Sequence, residues 1–407
     1  MKYFIKTYGC QANLADTARI SGILDLLGFS ELKLPEFKTE KEGLFYVLSN
    51  ADIFIINSCS VRQKSEDKIY GIGKEAKENF LKIGKKPYII LAGCIVGSTI
   101  GERKRFEPSE LVKKTKWVDL YLDHSSVGFL PGILKDAGLL PNVLKKITDN
   151  IGFENAAKPD SSDPKHAYVN ISTGCDNFCT YCVVPYARGK EISRSEEEII
   201  REIKTLVKKG AEYITLCGQN VNSWNLSYDE KFKIRSGSRK KLPFVSLLKK
   251  IHEIDGVKKL DFISSNPFDF TKDLVEALKL PKISNYIHIA VQSGNNEVLK
   301  NMNRRHTVEE FIKLITSIRK AKPGIEIGTD IIVGFPGETE KQFMDTVKLV
   351  EKVKFNVAFI AMYSQRKGTL AEKNFKDDVS RDEKKRRLAY ITKVWRDSKK
   401  SLPAKKL

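Results

Sequence analysis

The sequence predicts an α/β protein in which an N-terminal open parallel sheet is followed by a partial (β/α)6 barrel. Three observations predict this class. Short apolar runs rich in β-branched and aromatic residues alternate with helical stretches along the chain. Helix start signals recur in the second half. A polar stretch that ends in NAAKPDSSDPK separates the two halves, as a linker between domains would.

Three strand-like runs predict the N-terminal sheet: YFIKTYGC, ADIFIINSC and YIILAGC. The second and third are almost continuously apolar, as buried parallel strands are. Each run leads into a cysteine, namely Cys10, Cys59 and Cys94. Because ligands collect beyond the carboxyl ends of parallel strands, we expect these cysteines to converge and to bind a metal centre. The alternative is three separate buried thiols.

Six further runs predict the barrel strands: HAYVNISTGC, YITLCGQ, LDFISSN, YIHIAVQSG, EIGTDIIVGF and FNVAFIAMYS. Capping boxes that start at Ser195, Thr307 and Thr339 mark helix beginnings, and Gly210 and Pro323 mark helix ends. Six such units curl into a partial barrel whose active face is formed by the carboxyl ends of the strands. A flat doubly wound sheet is the competing arrangement.

These patterns predict four segments. They are an N-terminal domain at 1–134, a linker at 135–164, a core domain at 165–380 and a basic C-terminal helix and tail at 381–407.

Composition describes an ordinary globular protein of 407 residues, with 41% hydrophobic and 30% charged residues. The chain contains no apolar run of membrane-spanning length, and its start, MKYFIKTYGC, lacks the apolar region of a signal peptide. We therefore expect a cytoplasmic protein without membrane contact.

The net charge of +20 indicates a polyanionic partner, RNA or DNA, although solvated helix faces explain any single basic run.

The stretch STGCDNFCTYCVVPYARG holds three of the seven cysteines, Cys175, Cys179 and Cys182, in the spacing CxxxCxxC. Zinc takes four protein ligands at structural sites, and the next histidine downstream is His252. A loop with three thiolates suits a cubane iron–sulfur cluster whose fourth iron is left open for an exchangeable ligand. Cys217 is predicted to be a buried strand residue.

The cysteine spacing, with Tyr181 before the last cysteine, resembles the radical S-adenosylmethionine enzymes. Together with the three upstream cysteines it resembles the methylthiotransferases, in particular the MiaB type that acts on tRNA. The motifs that carry this resemblance cover nearly the whole chain: KTYGCQANLAD, NSCSVR, GCDNFCTYCVVPYARG, CGQNVNSW, VQSGNNEVLKNMNRRHT and TDIIVGFPGET. The segment GQNVN favours the branch specific for N6-isopentenyladenosine. Related branches act on threonylcarbamoyladenosine in tRNA or on an aspartate of a ribosomal protein.

The resemblance implies two [4Fe-4S] clusters and S-adenosylmethionine as cofactors. It assigns the cluster that cleaves S-adenosylmethionine to Cys175, Cys179 and Cys182, and an auxiliary cluster to Cys10, Cys59 and Cys94. Contacts to S-adenosylmethionine are expected from Tyr181, Gln219, Asn220 and Ser293.

The resemblance further implies a transferase that inserts a methylthio group at C2 of N6-isopentenyladenosine, at position 37 of tRNA. A monomer is expected, served by a sulfur donor and by an electron donor such as flavodoxin or ferredoxin. The small RNA-binding TRAM barrel that usually ends the family has no recognised counterpart in this sequence. Either the sequence is a truncated part of a longer chain, or other basic surface binds tRNA, or a partner supplies the grip. A protein that binds iron–sulfur clusters and RNA without catalysis is the alternative from another class.

Overall fold

The computed structural model describes residues 1–61, 63–101, 103–140, 151–237 and 241–400. Part of the predicted linker, residues 141–150, and the end of the predicted tail, residues 401–407, lie outside the described residues. The chain divides into two compact units. The first unit contains Met1–Gly174 and Val183–Cys217, and the second contains Cys175–Cys182 and the chain from Gly218 onward. The four segment boundaries drawn from sequence stay a prediction.

The first unit contains strands and helices in alternation. Its strands are β1 (Lys2–Thr7), β2 (Ser30–Glu31), β3 (Ile53–Ser58), β4 (Tyr88–Gly93), β5 (Leu120–Leu122), β6 (His166–Asn170), β7 (Ser172–Thr173), β8 (Ile192–Ser193) and β9 (Tyr213–Cys217). Its helices are α1 (Gln11–Leu26), α2 (Glu40–Asn50), α3 (Gln63–Ile83), α4 (Cys94–Gly97), α5 (Pro108–Lys114), α6 (Leu130–Asp136), α7 (Val184–Ala187) and α8 (Glu196–Lys208).

An open five-stranded sheet in the order β2-β1-β3-β4-β5 forms the N-terminal part of the first unit, and its strands are parallel. Every residue of β3 is buried, as the continuous apolar pattern predicts. Alternate residues enter two separate cores: Ile53 and Ile55 pack on one face of the sheet, and Phe54 and Ile56 on the other. The predicted open parallel sheet is confirmed.

The second unit continues the alternation. Its strands are β10 (Lys259–Phe262), β11 (Tyr286–His288), β12 (Glu326–Val333) and β13 (Val357–Met362). Its helices are α9 (Tyr228–Arg235), α10 (Pro243–His252), α11 (Lys272–Ala277), α12 (Asn296–Asn301), α13 (Val308–Ala321), α14 (Glu340–Val353), α15 (Leu370–Asn374) and α16 (Arg381–Lys400).

The strands predicted for the barrel are all present as β6 and β9 to β13. Within the first unit β6 pairs with β9 in parallel, and within the second unit β11, β12 and β13 form a parallel sheet. The capping boxes at Thr307 and Thr339 form as predicted, and Ser195 accepts the backbone N–H of Glu198. Gly210 adopts φ 98° just after α8, which only glycine adopts without strain.

No helix among the described residues is long and apolar enough to cross a membrane.

Candidate functional site

The cysteine loop of the second unit is held in shape by the protein itself. Phe178, within the CxxxCxxC spacing, adopts the left-handed conformation with φ 48°, which costs a residue other than glycine about 1 kcal/mol or more. Asn303, which is left-handed as well, donates from Nδ2 to the carbonyl oxygens of Asn177 (3.2 Å) and Phe178 (3.0 Å). These hydrogen bonds offset the strain and fix the loop that presents the three cysteines.

Arg304 is the buried cation beside this loop. Its Nη1 lies 3.5 Å from the sulfur of Cys179 and 3.2 Å from Oδ1 of Asn266, and its Nη2 donates to the carbonyl oxygen of Ala290 at 2.7 Å. Burial opposes the charge of Arg304, but the negative charge that Cys179 and Cys175 carry as thiolates favours it, and the pKa of the guanidinium is raised. The side chain therefore stays charged and stabilises thiolates in the loop.

Tyr181 links the loop to the apolar core of the second unit. Its ring packs with Val298, Met302, Phe335 and Tyr363. Burial raises the pKa of the Tyr181 phenol well above its ordinary value, and the neighbouring thiol of Cys179 raises it further. Tyr181 is therefore neutral and places an aromatic ring next to the cysteines, and its contact with S-adenosylmethionine stays a prediction.

Buried polar atoms without protein partners lie on Arg304 itself and close in sequence to its hydrogen-bond partners Asn266 and Ala290. Oγ of Ser265, Oε1 of Gln292 and Nε of Arg304 are buried and have no hydrogen-bond partner among the described residues. Gln292 also adopts a left-handed conformation, with φ 73°, just beyond β11. Unpaired buried polar atoms are costly, and they fit a site that takes a polar ligand such as S-adenosylmethionine.

The residues predicted to contact S-adenosylmethionine differ in their surroundings. Asn220 is buried, donates from Nδ2 to Oγ of Ser223 at 2.7 Å, and accepts a hydrogen bond from Asn266, the residue that also contacts Arg304. Gln219 is half-buried. Ser293 is fully buried with its hydroxyl 3.3 Å from that of Thr346, so its contacts are internal to the second unit. These three assignments stay predictions, and Asn220 belongs to the same hydrogen-bond network as the cysteine loop.

The other cysteine set lies at the carboxyl ends of three neighbouring strands in the first unit. Strand β1 pairs with β3 up to Thr7 and Asn57, and β3 pairs with β4 up to Ser58 and Gly93. Cys59 and Cys94 therefore leave their strands at matching positions, and Cys10 follows β1 after one short turn. The register brings together the ends of the strands that carry these cysteines, as the sequence predicts.

Backbone and side-chain donors are directed at these three thiols. Cys10 is the residue before α1, and Cys94 is the first residue of α4, so both lie where helix N–H groups favour negative charge. The sulfur of Cys59 accepts the backbone N–H of Val61 at 3.4 Å. Asn13 reinforces the edge, because its Nδ2 donates to Oδ1 of Asn57 and to the carbonyl oxygen of Ser58, both at 3.1 Å.

Arg188 is the buried cation of this cysteine set. Its Nε donates to the sulfur of Cys94 at 3.3 Å, and its Nη2 donates to Oδ2 of Asp16 at 2.6 Å. Burial opposes the charge, but Asp16 and the thiols of Cys94 and Cys10 raise the pKa of Arg188 well above its ordinary value. Helix α4 approaches α7 so closely that a Cβ on Gly97 would lie 2.1 Å from the carbonyl oxygen of Ala187, and this approach brings Arg188 to Cys94.

The donor chemistry of both sets suits iron–sulfur clusters. Among the described residues, no three Cys, His, Asp or Glu side chains converge closely enough to hold one metal ion. Thiolates are the usual ligands of iron–sulfur clusters, so each set supplies the type of donor that a cluster would need, and a cluster in each set stays a prediction. Cys217 is fully buried in β9, as predicted, and burial raises the pKa of its thiol well above the ordinary value.

Sequence reasoning missed both buried arginines. Arg188 lies in the quoted motif GCDNFCTYCVVPYARG and Arg304 in NRRHT, but arginine is common in a basic chain. Arg188 is 94 residues from Cys94 in sequence and Arg304 is 125 residues from Cys179. The available signal was the position of each arginine within a motif that already carried the resemblance.

Two family models match the chain. The model described as the Radical SAM superfamily matches residues 169–350, and the model described as uncharacterized protein family UPF0004 matches residues 2–122. The first match contains the CxxxCxxC loop, and the second contains Cys10, Cys59 and Cys94.

Solved structures share the fold across most of the chain. The radical S-adenosylmethionine methyltransferase TsrM from Kitasatospora setae matches with a TM-score of 0.57 at 12% identity, over 91% of this chain and 74% of that chain. The cobalamin-dependent S-adenosylmethionine radical enzyme OxsB matches with a TM-score of 0.55 at 14% identity, over 96% of this chain and 56% of that chain. These likenesses confirm the fold class, an N-terminal α/β domain followed by a radical-SAM domain.

Curated relatives match at much higher identity. The tRNA-2-methylthio-N(6)-dimethylallyladenosine synthase of Thermoanaerobacter sp. (strain X514) is 37% identical over 396 residues, which are 96% of this chain and 77% of the relative. Enzymes of the same name from Clostridium botulinum (strain Loch Maree / Type A3) and Thermotoga petrophila are also 37% identical, over 97% and 96% of this chain and 81% of each relative. The chain belongs to the family of tRNA-2-methylthio-N(6)-dimethylallyladenosine synthases, within the Radical SAM superfamily.

Proposed function

We propose that this chain transfers a methylthio group to C2 of N6-isopentenyladenosine at position 37 of tRNA. Membership of the family supports the reaction and its substrate class. The observation that carries the proposal is the presence of two separate three-cysteine sets, each with its own buried arginine. A radical enzyme with one cluster needs only the CxxxCxxC set, so the second cysteine set supports a second cluster with a different role.

Cys175, Cys179 and Cys182 would hold one [4Fe-4S] cluster, which together with S-adenosylmethionine supplies the 5′-deoxyadenosyl radical when both are bound. A carbon radical is needed because C2 of adenine is an unactivated aromatic C–H that acid–base chemistry does not open. In this reading Arg304 balances thiolate charge, Tyr181 shields the loop from water, and the unpaired atoms of Ser265 and Gln292 orient the polar cofactor.

Cys10, Cys59 and Cys94 would hold an auxiliary [4Fe-4S] cluster that carries the sulfur to be inserted. Arg188 would compensate the negative charge on its ligands, and Asp16 would hold the guanidinium in place. We infer that a sulfur donor replenishes this site and that a low-potential carrier such as flavodoxin or ferredoxin supplies electrons. We further propose that the enzyme acts as a monomer.

The proposal is tested with protein reconstituted without oxygen and given S-adenosylmethionine, a strong reductant and tRNA that carries isopentenyladenosine. We expect iron near eight per chain, from two four-iron clusters, together with 5′-deoxyadenosine and the 2-methylthio nucleoside by mass spectrometry. The variant Cys179→Ala should form neither product.

The triple variant Cys10→Ala, Cys59→Ala, Cys94→Ala separates the two cysteine sets. It should hold about four irons per chain, still release 5′-deoxyadenosine, and form no methylthio nucleoside. Full activity in this variant would refute the second cluster. If tRNA with threonylcarbamoyladenosine were modified and tRNA with isopentenyladenosine were not, the substrate assignment would be wrong.

A further inference from the structure

One face of the sheet β11-β12-β13 carries side chains that the proposed function has not used. In the register of this sheet His288 lies beside Gly328, and Asp330 lies beside Phe359. Residues two apart on a strand point to the same side, so Asp330 and Gly328 share one face of β12. We call Asp330, His288 and Phe359 the strand-face site.

A short chain of hydrogen bonds fixes the polar part of the strand-face site. The hydroxyl of Tyr286 lies 3.0 Å from Nδ1 of His288, and Nε2 of His288 lies 2.7 Å from Oδ2 of Asp330. The His288 side chain is only 13% exposed, whereas that of Asp330 is 42% exposed. Among the described residues, the side-chain hydrogen bond of Asp330 uses Oδ2 alone, so Oδ1 remains a fixed acceptor at the open surface.

Glycine at position 328 allows this arrangement. A Cβ on Gly328 would lie 2.0 Å from the hydroxyl of Tyr286 and 2.7 Å from Nδ1 of His288. Real Cβ atoms do not approach other atoms so closely, so any other residue would displace both side chains. The tyrosine and the histidine therefore lie directly on the β12 backbone, and the carboxylate position depends on them.

Phe359 supplies an apolar surface next to the carboxylate. Its side chain is 54% exposed, and its ring centroid lies 5.7 Å from that of His288. Its neighbour Ala358 points to the opposite face and is buried. A phenylalanine in the middle of a strand is normally covered, because removing its ring from water is favourable. An open aromatic ring beside an oriented acceptor is the composition of a ligand-binding face.

We propose that the strand-face site binds the adenine base to be modified, with the base stacked on Phe359 and its N6–H donated to Oδ1 of Asp330. The inference rests on the proposed function and deepens it by assigning the residues that recognise the substrate. An N6-alkylated adenine keeps one N6–H, which matches one exposed carboxylate oxygen, and its alkyl group requires apolar cover. A base in an RNA loop reaches such a site at low cost because it is already unpaired.

Three anticodon stem-loop RNAs test this assignment. They carry at position 37 either N6-isopentenyladenosine, an adenosine with two alkyl groups on N6, or an abasic sugar. Their dissociation constants are measured by fluorescence anisotropy with the reconstituted protein, S-adenosylmethionine and no reductant. Because the RNAs differ in one base only, contacts to the phosphates cancel in the ratio of two dissociation constants.

Each variant should change one ratio. Stacking of a base on an aromatic ring is worth about 1–3 kcal/mol, so Phe359→Ala should reduce the preference for isopentenyladenosine over the abasic RNA by roughly 5- to 150-fold. Loss of a hydrogen bond to a carboxylate should make Asp330→Ala reduce the preference for one N6 alkyl group over two by roughly 10-fold or more. The matched control is Phe232→Ala on α9, because Phe232 is 68% exposed in the same unit and should leave both ratios unchanged.

S-adenosylmethionine affinity and the visible absorption of the cluster establish that each variant is intact. Both readouts should equal those of the wild type in Phe359→Ala and Asp330→Ala. Unchanged RNA ratios in the two variants would overturn the inference, as would a loss of S-adenosylmethionine binding, which would make this face a cofactor subsite. If the wild type itself showed no preference for isopentenyladenosine over the abasic RNA, the proposed function would fail together with the inference.

Discussion

At the scale of single residues, Arg188 contacts both the carboxylate of Asp16 and the sulfur of Cys94. The side chains of Arg188 and Asp16 are 3% and 13% exposed, so the pair is buried and neither partner is well solvated. Asp16 also accepts a hydrogen bond from Nδ2 of Asn170 at 2.8 Å, which fixes the carboxylate. A guanidinium held in this way adds a permanent positive charge to the auxiliary cysteine set.

Removal of this charge should make the proposed auxiliary cluster harder to reduce. In Arg188→Gln we expect the midpoint potential of that cluster to fall by on the order of 60 mV, which is tenfold in a one-electron equilibrium. The reason is that a nearby cation favours the more negative, reduced form. A redox titration followed by electron paramagnetic resonance measures the shift, and Arg188→Lys should restore much of it.

Arg194 provides the matched control. It forms a buried pair with Glu202 at 2.5 Å in the same unit, with side chains 9% and 10% exposed. Breaking either pair leaves a buried carboxylate unpaired, so Arg194→Gln and Arg188→Gln should both lower the unfolding midpoint in urea. Only Arg188→Gln should change the potential, and an equal potential shift in Arg194→Gln would contradict the role assigned to Arg188.

At the scale of elements, the basic helix α16 is part of the second unit. Its Ile391 is fully buried, and its Arg387 donates from Nη1 to the carbonyl oxygen of Glu338 (2.8 Å) and to the Glu338 carboxylate (2.9 Å). Glu338 also accepts the N–H of Gly334 at 2.6 Å, so one carboxylate ties the turn after β12 to α16. Burial nevertheless raises the pKa of Glu338, although the N–H of Gly334 and the guanidinium of Arg387 oppose this effect.

Breaking this pair should destabilise the second unit. Arg387→Met leaves the fully buried Glu338 side chain without its cation, and we expect a loss of about 3–5 kcal/mol in the free energy of unfolding by urea. The double variant Arg387→Met, Glu338→Gln should recover part of this loss because the uncompensated charge is gone.

Lys385 is the control on the same helix. Its pair with Asp382 is exposed, so Lys385→Met should change the free energy of unfolding by less than about 0.5 kcal/mol. If the two single variants were equally stable, the pair of Arg387 and Glu338 would not carry the packing of α16.

Elements were predicted well because their signals are local. The continuous apolar run of β3 and the capping residues Thr307 and Thr339 lie within the segments that they define. The two cysteine sets could be proposed for the same reason, since each cysteine follows a strand or lies in one loop. Arg188 and Arg304 were not predicted because their contacts depend on packing between segments far apart in sequence. The strand-face site was also missed, since Phe359 reads as one more apolar strand residue.

At the scale of the whole molecule, the net charge of +20 is the property most relevant to an RNA partner. Many of the basic residues form exposed pairs with acidic neighbours, as Lys385 does with Asp382 on α16. Such exposed pairs contribute little to stability. The positive charge in excess of these pairs is available for long-range attraction to phosphates.

Affinity for tRNA should therefore fall steeply with salt. Each phosphate contact adds roughly 0.7 to 0.9 to the slope of log affinity against log salt, so five contacts would give a slope of about −4. Anisotropy titrations between low and physiological salt measure this slope, and binding of S-adenosylmethionine in the same buffers is the control that should change little. A flat dependence for tRNA would mean that the excess charge serves solvation alone.

The left-handed pair of Phe178 and Asn303 has a consequence for the life of the enzyme in air. Because hydrogen bonds within the polypeptide already hold Asn177 and Phe178 of the cysteine loop, we expect the loop to keep its conformation when iron is lost by oxidation. Recovery after such damage then requires the delivery of iron and sulfide, and it does not require the loop to refold.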